Sequence, residues 1–273
     1  MLELQDLRLR VADLTLVDGL NLQLHPGQLH VIIGPNGTGK TSLLRAVFGD
    51  FPLSNGTVRL FGTTLTPGRL PAWRQHLGYM PQNTQLDLDL SVLEVVVLGR
   101  LQRLSMRLSD EDLDAALKAL QALDLTHLAD RPVHTLSGGQ RQMVLFAQVL
   151  LRQPQLMLLD EPVSALDLKH QMQLMEHLKA QTIDNGWISV AVLHDLNLAA
   201  QFADQLIVLG EGRLQAFGPP AQVLDAPLIE RLYHVPVEVC PDPEGQPYVR
   251  TLRGGSQRVS ASARTNAMLS QIQ

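Results

Sequence analysis

Gly34-Pro35-Asn36-Gly37-Thr38-Gly39-Lys40-Thr41 is the stretch on which the fold turns. The apolar run Val31-Ile32-Ile33 leads into it, and a helix-like segment, Ser42-Leu43-Leu44-Arg45-Ala46-Val47-Phe48, leads out. Strand, glycine-rich loop and helix follow one another with the spacing G-x-x-x-x-G-K-T. Gly34, Gly37 and Gly39 let the backbone wrap closely round an anion with its N–H groups pointing inward. The helix N-terminus adds partial positive charge where phosphates would lie. Lys40 is placed to reach β- and γ-phosphates, and the Thr41 hydroxyl to hold Mg²⁺. An ordinary strand-to-helix turn needs none of these residues, and here the set is complete.

On the N-terminal side, residues 2–24 alternate apolar and polar in two stretches, which predicts antiparallel strands with one buried face. Asp18-Gly19 and Pro26-Gly27 mark turns. On the C-terminal side, residues 56–60 read as another strand, closed by Phe61-Gly62. From residue 83 to about 152 the character changes. Ser91-Val92-Leu93-Glu94 and Ser109-Asp110-Glu111-Asp112 have the spacing of capping boxes, the second ahead of Leu113, Ala116, Leu117, Leu120 and Leu123 at helical spacing. This reads as a helical insert ending in Leu136-Ser137-Gly138-Gly139-Gln140 and a helix over 141–151. Beyond it, apolar runs at 156–159, 188–193 and 206–209 alternate with helices over about 168–180 and 196–202. That alternation predicts a parallel sheet. The signal weakens after about residue 236, and 254–273, rich in Ser, Ala, Arg and Gln, reads as a mobile tail.

Composition narrows the function classes. With 273 residues, 45% hydrophobic and 18% charged, the chain has ample material for a buried core. No apolar run is long enough to span a bilayer, and Met1 leads straight into the alternating stretch, so neither a membrane span nor a secretory signal is expected. The single cysteine, Cys240, excludes an internal disulfide and fits a reducing compartment. A net charge of −5 and only 4% aromatic residues argue against a nucleic-acid-binding surface.

A phosphate loop needs a metal partner and a group that orients water. Asp160 closes the apolar run 156–159, at the strand end where open α/β sheets place ligands, and is expected to hold Mg²⁺ directly or through water. Glu161 faces a different way, and a carboxylate there can polarise the water that attacks a γ-phosphate. With these residues together, the chain resembles the nucleotide-binding subunit of an ABC (ATP-binding cassette) transporter over residues 1 to about 235. Residues 34–41 match that family's Walker A, 156–161 its Walker B with catalytic glutamate, and 136–140 its five-residue signature, unbroken. Gln82 matches the Q-loop glutamine, Ser164-Ala165-Leu166-Asp167 the D-loop, and His194 the switch histidine.

The resemblance implies an α/β fold, a P-loop NTPase cassette with a mixed or parallel sheet core. It adds an antiparallel β subdomain, an α-helical subdomain inserted at about 83–152 and an extension over 236–273. It implies hydrolysis of ATP with Mg²⁺ bound. Lys40, Gln82, Glu161 and His194 would be catalytic. Gly34, Pro35, Asn36, Gly37, Thr38, Gly39, Lys40, Thr41 and Ser42 would hold the phosphates, and Thr41, Asp160 and Gln82 the metal. It also implies a second copy packed head to tail, so that Ser137, Gly138, Gly139 and Gln140 of one chain close on the nucleotide of the other. In most of the family an aromatic residue stacks on adenine. Here that place falls near Val11, which offers apolar contact, helped by the flat guanidinium of Arg10. Weaker discrimination of ATP from GTP is therefore expected.

Residues 86–100 and Leu166-Asp167-Leu168-Lys169-His170-Gln171 resemble the branch that serves iron–siderophore, haem and cobalamin uptake. Its cassettes sit peripherally on the cytoplasmic face of the cytoplasmic (inner) membrane. They partner a many-helix permease dimer and, indirectly, an extracytoplasmic substrate-binding protein. Ferric siderophore, the commonest cargo of the branch, is the first choice, with haem and cobalamin open. The other class considered is a cassette ATPase acting on nucleic acid. One signature, one Walker A, no sustained heptads and a mildly acidic chain argue against it.

Overall fold

The computed structural model describes residues 1–82, 89–100 and 109–253. The alternation at the N-terminus becomes β1 (Leu2–Val11) and β2 (Leu14–Leu24), antiparallel, with Leu2 opposite Leu24 and Leu4 opposite Leu22. β3 (Gln28–Ile33) carries the apolar run into the glycine-rich loop, and α1 (Lys40–Phe48) leaves it. β4 (Asn55–Leu60) and β5 (Thr63–Thr64) complete a four-stranded antiparallel sheet ordered β2-β1-β4-β5. α2 (Leu70–Arg74) leads to β6 (Leu77–Met80). The helical part contributes α3 (Val92–Val97), α4 (Asp110–Ala122) and α5 (Gly138–Leu151). Strand–helix alternation then returns with β7 (Leu156–Asp160), α6 (Leu168–Asp184), β8 (Ile188–Val192), α7 (Leu196–Phe202), β9 (Gln205–Gly210) and β10 (Arg213–Gly218).

The second sheet is ordered β10-β9-β3-β8-β7-β6, parallel throughout except for antiparallel β10 at one edge. Both its faces are covered, which is why its strands read as unbroken apolar runs. Leu156 and Leu158 of β7 face a core shared with Leu43, Leu44 and Val47 of α1 and with leucines of β1 and β2. Met157 and Leu159 face the opposite core, with Phe146 of α5 and Leu174 and Leu178 of α6.

Two helix bounds and one cap differ from expectation. α5 begins at Gly138 and not at 141, because Ser137 caps it. Ser137 Oγ accepts from the Gln140 amide (3.2 Å) and Gln140 Oε1 accepts from the Ser137 amide (3.1 Å), drawing both glycines into the first turn. Ser91 and Glu94 form the expected reciprocal box, but Ser109 makes half of one. Its hydroxyl caps the Asp112 amide, while the shorter Asp112 carboxylate goes to the Ser109 hydroxyl and to Arg100. α6 runs to Asp184, beyond the expected 180.

After β10 come α8 (Pro220–Val223), α9 (Ala226–Tyr233) and a hairpin of β11 (Val237–Pro241) and β12 (Pro247–Thr251), where the sequence signal is weak. The hairpin docks on α7. Asn197 Nδ2 donates to the Val249 carbonyl (3.1 Å), and the Val249 amide donates to Asn197 Oδ1 (2.7 Å). The tail expected at 254–273 lies outside the described residues. No helix among the described residues is long and apolar enough to cross a membrane.

Candidate active site

Strands β3, β6, β7 and β8 run parallel and deliver four loops to one sheet edge, with Ile32 and Asp160 both in register with Val192. The loops enclose a cavity of about 530 Å³. Asn36, Gly37, Gly39, Lys40, Thr41 and Ser42 line one side, and Gln82, Glu161 and His194 the other. A larger hollow of about 660 Å³, lined by Phe61, Arg69, Trp73 and His76 among others, has neither a glycine loop nor a carboxylate in its wall, so the chemistry belongs to the smaller one.

The glycine-rich loop is built for its turn. A Cβ on Gly34, whose φ is +148°, would lie 2.1 Å from the Leu209 carbonyl oxygen. Thr38 Oγ1 donates to the Pro35 carbonyl (2.9 Å). Lys40 is buried, and its Nζ donates to the carbonyls of Gly34 and Pro35, both at 2.8 Å. Burial lowers the Lys40 pKa, against the opposing pull of Glu161 and Asp160.

Asp160 is 1% exposed and accepts from Thr41 Oγ1 at 3.0 Å. Burial pushes its carboxyl upward, and the Thr41 hydroxyl draws it back. A hydroxyl and a carboxylate side by side, next to the phosphate loop, are hard oxygen donors of the kind Mg²⁺ takes when phosphates supply the rest of its shell. Glu161 sits at φ +53°, in the left-handed region, directly after the strand. Its Oε1 is 2.5 Å from His194 Nε2, and its Oε2 accepts from Gln82 Nε2 at 2.8 Å. Gln82 and His194 therefore meet on the Glu161 carboxylate, and Gln82 makes its bond there and not to the Thr41–Asp160 pair.

Other expected residues stand outside the cavity lining. Val11 is 49% exposed at the end of β1, whereas Leu16 of β2 supplies the apolar wall. Ser137, Gly138, Gly139 and Gln140 are also absent from that wall. They lie at the N-terminus of α5, where a Cβ on Gly139 would be 2.9 Å from the Ala165 carbonyl oxygen. Ser164 Oγ donates to the Glu161 carbonyl (3.1 Å), and Asp167 caps α6 through the His170 amide (3.0 Å).

Sequence reasoning passes over Leu16 and Gln142. Leu16 is an unremarked member of an alternating strand. Gln142 carries a usable signal, being a polar residue at the head of the i, i+4, i+7 stripe Gln142, Phe146, Val149 that buries one face of α5.

Comparison with known proteins gives the following. A family model described as ABC transporter matches residues 17–164. The ferric enterobactin transport ATP-binding protein FepC of Escherichia coli K12 is 40% identical over 248 residues, 90% of this chain and 92% of its own. The hemin import ATP-binding protein HmuV of Myxococcus xanthus is 42% identical over 227 residues, 81% and 85% of the two chains. Among solved structures, an inward-facing conformation of a putative metal-chelate type ABC transporter matches with a TM-score of 0.80 at 27% identity, over 93% of this chain and 98% of that one. The dimeric ATP-binding cassette MJ0796 bound to ADP and phosphate gives 0.74 at 28% identity, over 80% and 98%.

Proposed function

The chain belongs to the ABC transporter family, and on that premise we propose that it is the ATP-hydrolysing subunit of an importer, coupling ATP binding and hydrolysis to uptake of an iron chelate. One observation supports the ATPase half above the rest: the glycine-rich loop and the Gln82–Glu161–His194 cluster face each other across one cavity. The relatives support the cargo half. One is named for transport of ferric enterobactin, another for import of hemin, and the structural neighbour is of metal-chelate type.

ATP lays its phosphates against loop 34–39, whose amides, with the Lys40 ammonium, stabilise charge on the γ-phosphate. Thr41 and Asp160 would hold Mg²⁺, which would supply positive charge to the phosphate oxygens. Glu161 orients a water for in-line attack and takes its proton, with His194 steadying the carboxylate. Gln82 links Glu161 to the segment that leads into the helical part. A second copy supplies the Ser137 hydroxyl and the amides at the start of α5 to the γ-phosphate, since these groups lie outside the chain's own cavity. Closure of the pair on two nucleotides, and reopening after hydrolysis, drives a permease dimer docked near Gln82 and the helical part. A substrate-binding protein delivers cargo on the far side, and the chain stays peripheral on the cytoplasmic face.

The test is uptake by cells lacking the chain and complemented with wild type or Glu161→Gln. Labelled ferric siderophore, haem and cobalamin are offered in parallel. One iron chelate is expected to enter with wild type only. Uptake of both iron chelates that ignores the substitution, or dependence confined to cobalamin, contradicts the assignment.

A further inference from the structure

Gln142 is buried within the first two turns of α5 and does not itself line the cavity. Its Nε2 donates to the Glu161 carbonyl at 2.9 Å, and its Oε1 accepts from the Ala165 amide at 3.1 Å. The first partner only accepts and the second only donates, so a primary amide satisfies both and a carboxylate cannot. The backbone held in this way is unusual. Glu161 is a non-glycine residue in the left-handed region, which persists only where the surroundings impose it. Its carbonyl also accepts from the Ser164 hydroxyl at 3.1 Å. Gln171 of α6 fastens the far part of the same loop, donating to the carbonyls of Val163 (3.3 Å) and Leu166 (3.0 Å).

We propose that Gln142 is a positioning residue for ATP hydrolysis: by bridging Glu161 and Ala165 it fixes the turn that aims the Glu161 carboxylate. It also joins that turn to the first turn of α5, where Gly139 lies against Ala165 with no room for a Cβ. This rests on the reading of Glu161 as the group that activates water and of α5 as the clamp on a partner's nucleotide. On that reading, movement of the clamp is felt directly at the catalytic carboxylate.

The experiment uses the full chain with Gln142→Met and Gln142→Glu. Methionine keeps the length and the helix face and loses both bonds. Glutamate keeps the acceptor for Ala165 and sets an oxygen against the Glu161 carbonyl. In both, kcat for phosphate release is expected to fall about tenfold or more, the scale of losing one buried hydrogen bond, while the equilibrium Kd for ATP stays within about twofold. Wild-type kcat in folded Gln142→Met overturns the proposal. So does a fall in ATP affinity and melting temperature in step with turnover in both variants, which would make the residue merely structural. Glu161→Gln alone separates the two readings. Absence of ATP-dependent pairing there refutes the clamp, whereas pairing there with unaffected turnover in the Gln142 variants refutes this inference alone.

Discussion

His30 lies wholly buried, its Nδ1 donating to the Ser189 carbonyl at 3.3 Å and its Nε2 without a partner among the described residues. Burial holds its pKa down at about 4. The unfolded chain takes up this proton near pH 6.5, and the native chain refuses it until about pH 4. In that window the unfolded state binds more protons, so stability is full above pH 6.5 and is lost as pH falls toward 4. The loss is about 3 kcal/mol. Urea unfolding across this range should show it, and His30→Leu should flatten that part of the acid limb. A second residue-scale prediction concerns the base. Val11→Tyr should tighten nucleotide binding several-fold, the scale of one aromatic stacking pair, about 1 kcal/mol, for ATP at least as much as for GTP. Competition binding of the two nucleotides checks it. At this scale Lys40, Thr41, Asp160 and Glu161 were legible because each has a fixed place in a short motif. Gln142 was legible only as a polar residue on a buried helix stripe, because its partners lie 19 and 23 residues away and no local spacing names them.

Among elements, β1 and β2 were legible from period two and the buried parallel strands from their apolar runs, whereas the start of α5 and the end of α6 were not. Ser91 and Ser109 have the same spacing to an acid, yet only glutamate is long enough to return a bond to the capping residue's backbone here. Ser91→Ala should therefore cost about 1 kcal/mol, measured as a lower urea midpoint, and Ser109→Ala less. The start of α5 was open to a better reading, since a serine cap needs only a glutamine three residues on, and Gln140 is there. The β11–β12 hairpin was hidden for a different reason. Its strands are short and flanked by prolines, and its anchor, Asn197, is 52 residues away from Val249.

For the whole molecule, the order of motifs announced a cassette, and the sheet shows why the order works. Parallel strands bring loops from residues 34, 82, 161 and 194 to one edge, while the signature caps a helix outside that cavity. On the proposed function, a second chain completes a site so divided, and that division is its central claim. The most direct test is the mass of Glu161→Gln in solution with and without ATP, followed together with phosphate release. The account predicts that ATP doubles the mass and that phosphate release falls at least about 100-fold, as expected for loss of a general base. A mass that ATP leaves unchanged, or phosphate release at the wild-type rate, would contradict it.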